Sequence, residues 1–172
     1  MSDDSQIDTT KSSEKLRKVI SSLTQLKEET CQIFTSAKQR IQIYTHGLDP
    51  RILNNRQIEK NILDFVKRSR NSKVQILIYD ERLLRGIDHR LVSLAQRFTS
   101  FIDIRVVPKD YHENPFSFYL VDNRYMVYRS NVERYEAEQL AMPNFVIKDK
   151  SKLFHSIWQS SSPASFLRAL HL

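Results

Sequence analysis

The stretch Val74-Gln75-Ile76-Leu77-Ile78-Tyr79-Asp80 decides the fold. Its apolar residues follow one another rather than alternate, and three of its positions are β-branched. A run apolar on both faces is the pattern of a central strand sealed between two layers, as parallel strands are.

The flanks of this strand supply those layers. Upstream, Arg56 to Asn71 places Ile58, Ile62, Phe65 and Val66 on one helical face. Lys67, Arg68 and Arg70 complement the negative end of that helix. Arg40-Ile41-Gln42-Ile43-Tyr44-Thr45 is β-branched and alternating, a second strand. It runs through His46-Gly47-Leu48 to Asp49-Pro50, a capping acid followed by proline, the start of a helical turn. Ser22 to Lys38 repeats Leu23, Leu26, Ile33, Phe34 and Ala37 at helical spacing, and Ser22 with Gln25 fits a capping box. Lys18-Val19-Ile20 reads either as a short edge strand or as an earlier start of that helix.

Downstream, Glu81 to Ile87 is a loop, and Asp88 is the expected cap of a helix from His89 to Ser100 with Leu91, Leu94, Ala95 and Phe98 inward. Phe101 to Val107 is a strand closed by Pro108, followed by a loop to Pro115. Phe116–Val121 and Tyr125–Tyr128 form a hairpin about Asp122-Asn123-Arg124. Asn131 to Asn144 reads as irregular, with a short strand at Asn144–Ile147. A last helix spans Ser151 to Ser160, and a terminal turn Phe166 to Leu170. Strand–helix alternation implies parallel strands with right-handed crossovers. The expected fold class is therefore α/β: one domain with a mixed, mostly parallel sheet and helices on both faces. Residues 1–13 read as a disordered acidic tail and 14–172 as the domain.

Composition removes several function classes. Cys31 is the only cysteine among 172 residues, which excludes an intrachain disulfide and a cysteine-rich zinc site. Gly47 and Gly86 are the only glycines, too few for a glycine-rich phosphate loop. His46, His89, His112, His155 and His171 form no metal-binding pair, so neither metal nor cofactor is expected. No apolar run reaches the ~18–20 residues of a membrane helix. The polar start does not read as a secretory signal, so a cytoplasmic location is expected.

The net charge is +7, and the acidic tail means that the rest of the chain is more basic still. A basic body fits an anionic partner, nucleic acid included, or simply a solvated surface. In an open α/β sheet ligands bind beyond the carboxyl ends of the strands. Here those ends are Thr45-His46, Asp80 and Val107, with the helix starts at Asp49-Pro50 and Asp88-His89 facing the same rim. Arg82, Arg85, Arg90 and Arg97 lie near it and make a phosphate site, or pair with the interleaved Asp80, Glu81 and Asp88. Later, Tyr111, Tyr119, Tyr125, Tyr128 and Tyr135 are interleaved with Arg124, Arg129 and Arg134. That pattern serves single-stranded nucleic acid or the wet edge of a sheet.

The segment Phe116-Ser-Phe-Tyr-Leu-Val-Asp122-Asn-Arg-Tyr-Met-Val-Tyr-Arg-Ser130-Asn131 resembles the signature hairpin of the phospholipase D superfamily, His-x-Lys-(x)4-Asp followed by a turn, a strand and a Gly-Ser-x-Asn-like stretch. Counted back from Asp122, the histidine position holds Pro115 and the lysine position Ser117. Ile43–Pro50, Val74–Asp80 and especially His89–Arg105 are similar to a group of bacterial phospholipase-D-like domains, some of them associated with N-acetyltransferase domains. In active members, the resemblance implies, histidine attacks phosphorus and lysine neutralises the equatorial oxygens. Proline and serine can do neither. Active members also join two such motifs, so a single copy implies a homodimer. The expectation is a catalytically degenerate module that binds a phosphate-bearing ligand through His89, Arg90, Arg97 and Arg105, positioned by Asp80, with Arg129 as a further contact. The alternatives are a phosphodiesterase or nuclease using His89 or His112, and an interaction module for an acetyltransferase or another partner.

Overall fold

The computed structural model describes residues 16–167. The expected tail, 1–13, and the end of the terminal turn lie outside that range. The strands are β1 (Arg17–Ile20), β2 (Arg40–Thr45), β3 (Lys73–Ile78), β4 (Ile102–Val106), β5 (Ser117–Val121), β6 (Tyr125–Arg129), β7 (Ala137–Ala141) and β8 (Ser162–Pro163). The α-helices are α1 (Leu23–Thr35), α2 (Pro50–Leu53), α3 (Arg56–Arg68), α4 (Arg90–Arg97) and α5 (Phe145–Ser160). All eight strands form one sheet in the order β1-β7-β6-β5-β2-β3-β4-β8. Parallel pairing is confined to β2–β3–β4 and every other neighbouring pair is antiparallel, so the sheet is mixed as expected but mostly antiparallel rather than mostly parallel, because the hairpin and the edge strands add to the crossover-linked centre without helical crossovers.

The sheet separates two apolar clusters. On one side α1, α2, α3 and α4 pack Phe34, Leu53, Phe65 and Leu94 onto Ile43, Ile76 and Ile104. On the other, α5 alone packs Ile147, Phe154 and Ile157 onto Tyr44, Leu77, Phe118 and Leu120. The single α/β domain with helices on both faces is as the strand–helix alternation predicts. The two layers explain why β3 is apolar on both faces: Val74, Ile76 and Ile78 belong to the first cluster and Leu77 to the second.

Of the two readings of Lys18–Ile20, the edge strand holds, with β1 paired to β7. Other elements differ from what the sequence predicts. Ala137-Glu-Gln-Leu-Ala141 is a strand although its composition is poor for one. It is formed by its position between β6 and β1, which supply partners on both sides. Asn144–Ile147 is not a strand but the start of α5. The Asn144 side chain accepts from the Val146 and Ile147 N–H groups and caps the helix six residues before the predicted start. The cap of α4 is His89 rather than Asp88.

Candidate functional site

The carboxyl end of β2 sits at the centre of the sheet, between β3 and the start of the β5–β6 hairpin. The hairpin is fixed first by its turn. Asp122 and Asn123 both have positive φ, 52° and 54°, and Arg124 N–H donates to the Val121 carbonyl at 2.9 Å, a tight turn within the three-residue connection 122–124 between the paired Val121 and Tyr125. The Asp122 carboxylate accepts from the backbone N–H groups of Lys38, Gln39 and Arg40 at 2.7–2.9 Å. This acid therefore clamps the hairpin to the entry of β2 at the end of the sheet remote from the rim.

At the opposite end of the hairpin Ser117 faces Arg129 across the ladder. Arg129 is 2% exposed and makes four hydrogen bonds to three partners: the Asp49 carboxylate at 3.3 Å, the Val132 carbonyl, and the Arg134 carbonyl from both Nε and Nη2. The Ser117 hydroxyl and the nearby Tyr119 hydroxyl are buried without a hydrogen-bond partner. Burial drives the Tyr119 phenol pKa well above its ordinary value, although Arg129 pulls the other way. Asp49 also caps α2 by accepting from Arg51 N–H, and its carboxylate lies 3.5 Å from the Arg51 guanidinium, which is 64% exposed.

These groups border a cleft of about 430 Å³ lined by Thr45, His46, Asp49, Arg51, Leu83 and Arg129, among others. Gly47 lies under Leu83, and a Cβ there would come within 2.7 Å of the leucine Cδ1. His46 donates from Nε2 to the Asn114 carbonyl at 3.1 Å, since a carbonyl can only accept. Its ring stacks on Tyr79 at 4.2 Å, and Tyr79 stacks on His112 at 5.4 Å and 4°. Burial holds the His46 pKa below its ordinary value, against the pull of the Asn114 carbonyl, with Arg129 and His112 adding to the depression. The Tyr79 and Tyr44 hydroxyls are hydrogen bonded to each other, and Asn114 Nδ2 donates to Tyr44.

The six residues expected to bind ligand are not brought together. His89 is 1% exposed: Nδ1 accepts from Leu91 N–H, and Nε2 donates to the Leu48 carbonyl at 2.9 Å. Both ring nitrogens are spent on the fold. Arg90 pairs with Glu59 at 2.7 Å, joining α4 to α3. Arg97, at the end of α4, lies over Phe98. Arg105 pairs with Asp103 and covers Trp158. Asp80 accepts from Arg82 N–H and holds its guanidinium in a fork, which lowers the Asp80 pKa to about 2. Only Arg129 borders the cleft beside the hairpin, and only Asp80 borders a second cleft, beyond β3 and β4. Arg51 is not among the expected contacts; its signal is its place in the Asp49-Pro50-Arg51 helix start. His46 is expected only as part of a strand end, because its partner Asn114 lies far along the chain.

Three solved structures share this architecture. TrmBL2, an archaeal chromatin protein described as showing a novel mode of DNA binding, superposes with a TM-score of 0.63 at 14% identity over 87% of this chain. The chain spans 54% of TrmBL2, about half its length. Nuc from Salmonella typhimurium, a phospholipase D family member, gives 0.57 at 18% identity, covering 86% of this chain and 97% of its own. NucT from Helicobacter pylori gives 0.61 at 12% identity, covering 86% and 98%. None of the curated proteins matches the chain. Among the described residues no helix is long and apolar enough to cross a membrane. The fold is phospholipase-D-like, and because residues 22–170 match the family described as a domain of unknown function (DUF7931), the chain belongs to that family.

Proposed function

We propose that this protein is a binding or regulatory module for a phosphate-bearing ligand, held at the cleft where the β5–β6 hairpin meets the end of β2. The observation that carries the reading is the buried Arg129 at the cleft wall, opposite Ser117, with the exposed Arg51 at the mouth. Arg129 fixes the wall and its charge, while Arg51 is free to exchange its 3.5 Å carboxylate contact for an anion. The positions that the phospholipase D resemblance assigns to nucleophile and charge neutraliser are Pro115 and Ser117, so the module binds without forming a phosphoenzyme. Support also comes from the neighbours, among which TrmBL2 is described as binding DNA. A catalytic role for His89 is opposed by its burial and its two committed nitrogens. The module acts as a homodimer, by analogy with the paired motifs of the superfamily.

The test is fluorescence anisotropy with a labelled 20-nucleotide single strand, as DNA and as RNA, across a salt series. Binding through phosphates requires log K to fall linearly with log salt. Arg51→Ala should weaken binding several-fold and make that slope shallower by about one. A salt-independent interaction, or none, removes nucleic acid from the ligand class.

A further inference from the structure

A second cleft of about 440 Å³ opens beyond the carboxyl ends of β3 and β4. It is separated from the hairpin cleft by the His46–Tyr79–His112 stack: His46 borders the first, Tyr79 and His112 the second. Its polar lining includes Arg82, Arg85, Lys109, His112, Ser160 and Ser162. Asp80 and Glu81 also line it, but both acids are already committed. Asp80 is occupied by the backbone and guanidinium of Arg82. Glu81 accepts from Ser165 N–H at 2.8 Å and Ser165 Oγ at 2.9 Å, which ties the chain after α5 to the 3-10 turn Glu81–Leu84. Among the described residues no carboxylate lies within ion-pair distance of Arg85 or Lys109. With Arg82, Arg85 and Lys109 against Asp80 and Glu81, the lining keeps one positive charge that its own acids do not cancel.

The surround of that charge is held by a ring stack, a hydrogen bond and strand pairing. The His112 ring lies flat on Tyr79, and Nε2 donates to the Val107 carbonyl at 2.9 Å, which leaves Nδ1 as the nitrogen without a partner. Ser160 and Ser162 wall one side, where β8 is paired to β4. Uncompensated cations at strand ends, beside the Ser162 hydroxyl and a His112 Nδ1 that donates when the ring is protonated, suit a compact anion.

We infer that this cleft is a second anion site, separate from the hairpin cleft, that takes a terminal phosphate group, as a phosphate monoester or pyrophosphate, between Arg85, Lys109 and His112. It does not depend on the proposed function at the hairpin.

The experiment is isothermal titration calorimetry of the full chain with inorganic pyrophosphate and, separately, phenyl phosphate. Saturable binding is expected to weaken at least tenfold in the Arg85→Ala/Lys109→Ala double variant and to be retained in Arg85→Lys/Lys109→Arg. Both positions are exposed, so the fold should survive, and an unchanged thermal midpoint checks this. Arg51→Ala, at the hairpin cleft, should leave unchanged the component of binding that the double variant removes. Tighter binding of phenyl phosphate would identify the source as a phosphorylated small molecule, and tighter binding of pyrophosphate as a diphosphate. No saturable binding of either probe, or binding lost with Arg51→Ala and kept in the double variant, overturns the site. Loss in the double variant with no oligonucleotide binding at the hairpin cleft would leave this site standing and remove the other.

Discussion

His89 carries two structural tasks on one ring, and the one at Nδ1 needs it neutral. Protonating Nδ1 removes the acceptor for Leu91 N–H while Nε2 stays bound to the Leu48 carbonyl. Burial accordingly holds the His89 pKa below its ordinary 6.5, with the Leu48 carbonyl opposing only in part. The unfolded chain then binds the proton more readily than the folded one. Stability from this group is full above pH 6.5 and is lost as pH falls from there through the folded pKa. His46 acts in the same direction. Thermal midpoints should therefore drop between pH 7 and 5, and His89→Asn, which keeps a capping acceptor without titrating, should flatten that limb. An equally steep limb in the variant would contradict the assignment. His89→Ala should cost about 1–3 kcal/mol in chemical denaturation, from a lost cap and an orphaned carbonyl. The sequence placed a helix start here but favoured the neighbouring Asp88, because its carboxylate is the commoner cap. The partner that selects the histidine, Leu48, is 41 residues away and leaves no local signal. Gly47→Ala should likewise cost about 1–3 kcal/mol by forcing Leu83 aside, and Leu83→Ala should recover most of it in a double-mutant cycle.

Among elements, the hairpin was the most legible and β7 the least. Asp122-Asn123 between two β-branched and aromatic runs specifies a tight turn through residue chemistry alone, since both positions tolerate positive φ. What the sequence could not display is the second use of Asp122, accepting three N–H groups at the start of β2. Asp122→Ala should lower stability by about 2–3 kcal/mol. Asp122→Asn, which tolerates the same φ and keeps one acceptor oxygen, should cost less. Equal losses in urea titrations would mean that the clamp contributes little. The strand β7 escaped detection because Glu138 and Gln139 give it no β-rich pattern, and its pairing comes from β1 and β6. The site residues divide for a similar reason. Arg90 and Arg105 have the charge of ligand contacts, but each found a carboxylate, Glu59 across the helix pair and Asp103 on its own strand.

At the scale of the molecule, one sheet with helices on both faces brings the ends of β2, β3 and β4 to a common rim, and the hairpin adds its own wall. The apolar pattern of β3 was sufficient to predict the layers, whereas the clefts depend on residues that meet only after folding, such as Asp49 with Arg129. A homodimer predicts twice the chain mass, about 41 kDa, in light scattering at micromolar concentration. A mass of 20.4 kDa at every concentration would exclude it. The hairpin cleft, on the proposed function, binds a phosphate ester and leaves it intact. Bis(4-nitrophenyl) phosphate tests it most directly, because one titration reads both binding, from backbone chemical shifts, and cleavage, from released nitrophenolate. Saturable shifts are expected at residues 45–51 and 129–132, with no release above the buffer rate. Release above that rate, or no shifts at those residues, would contradict it.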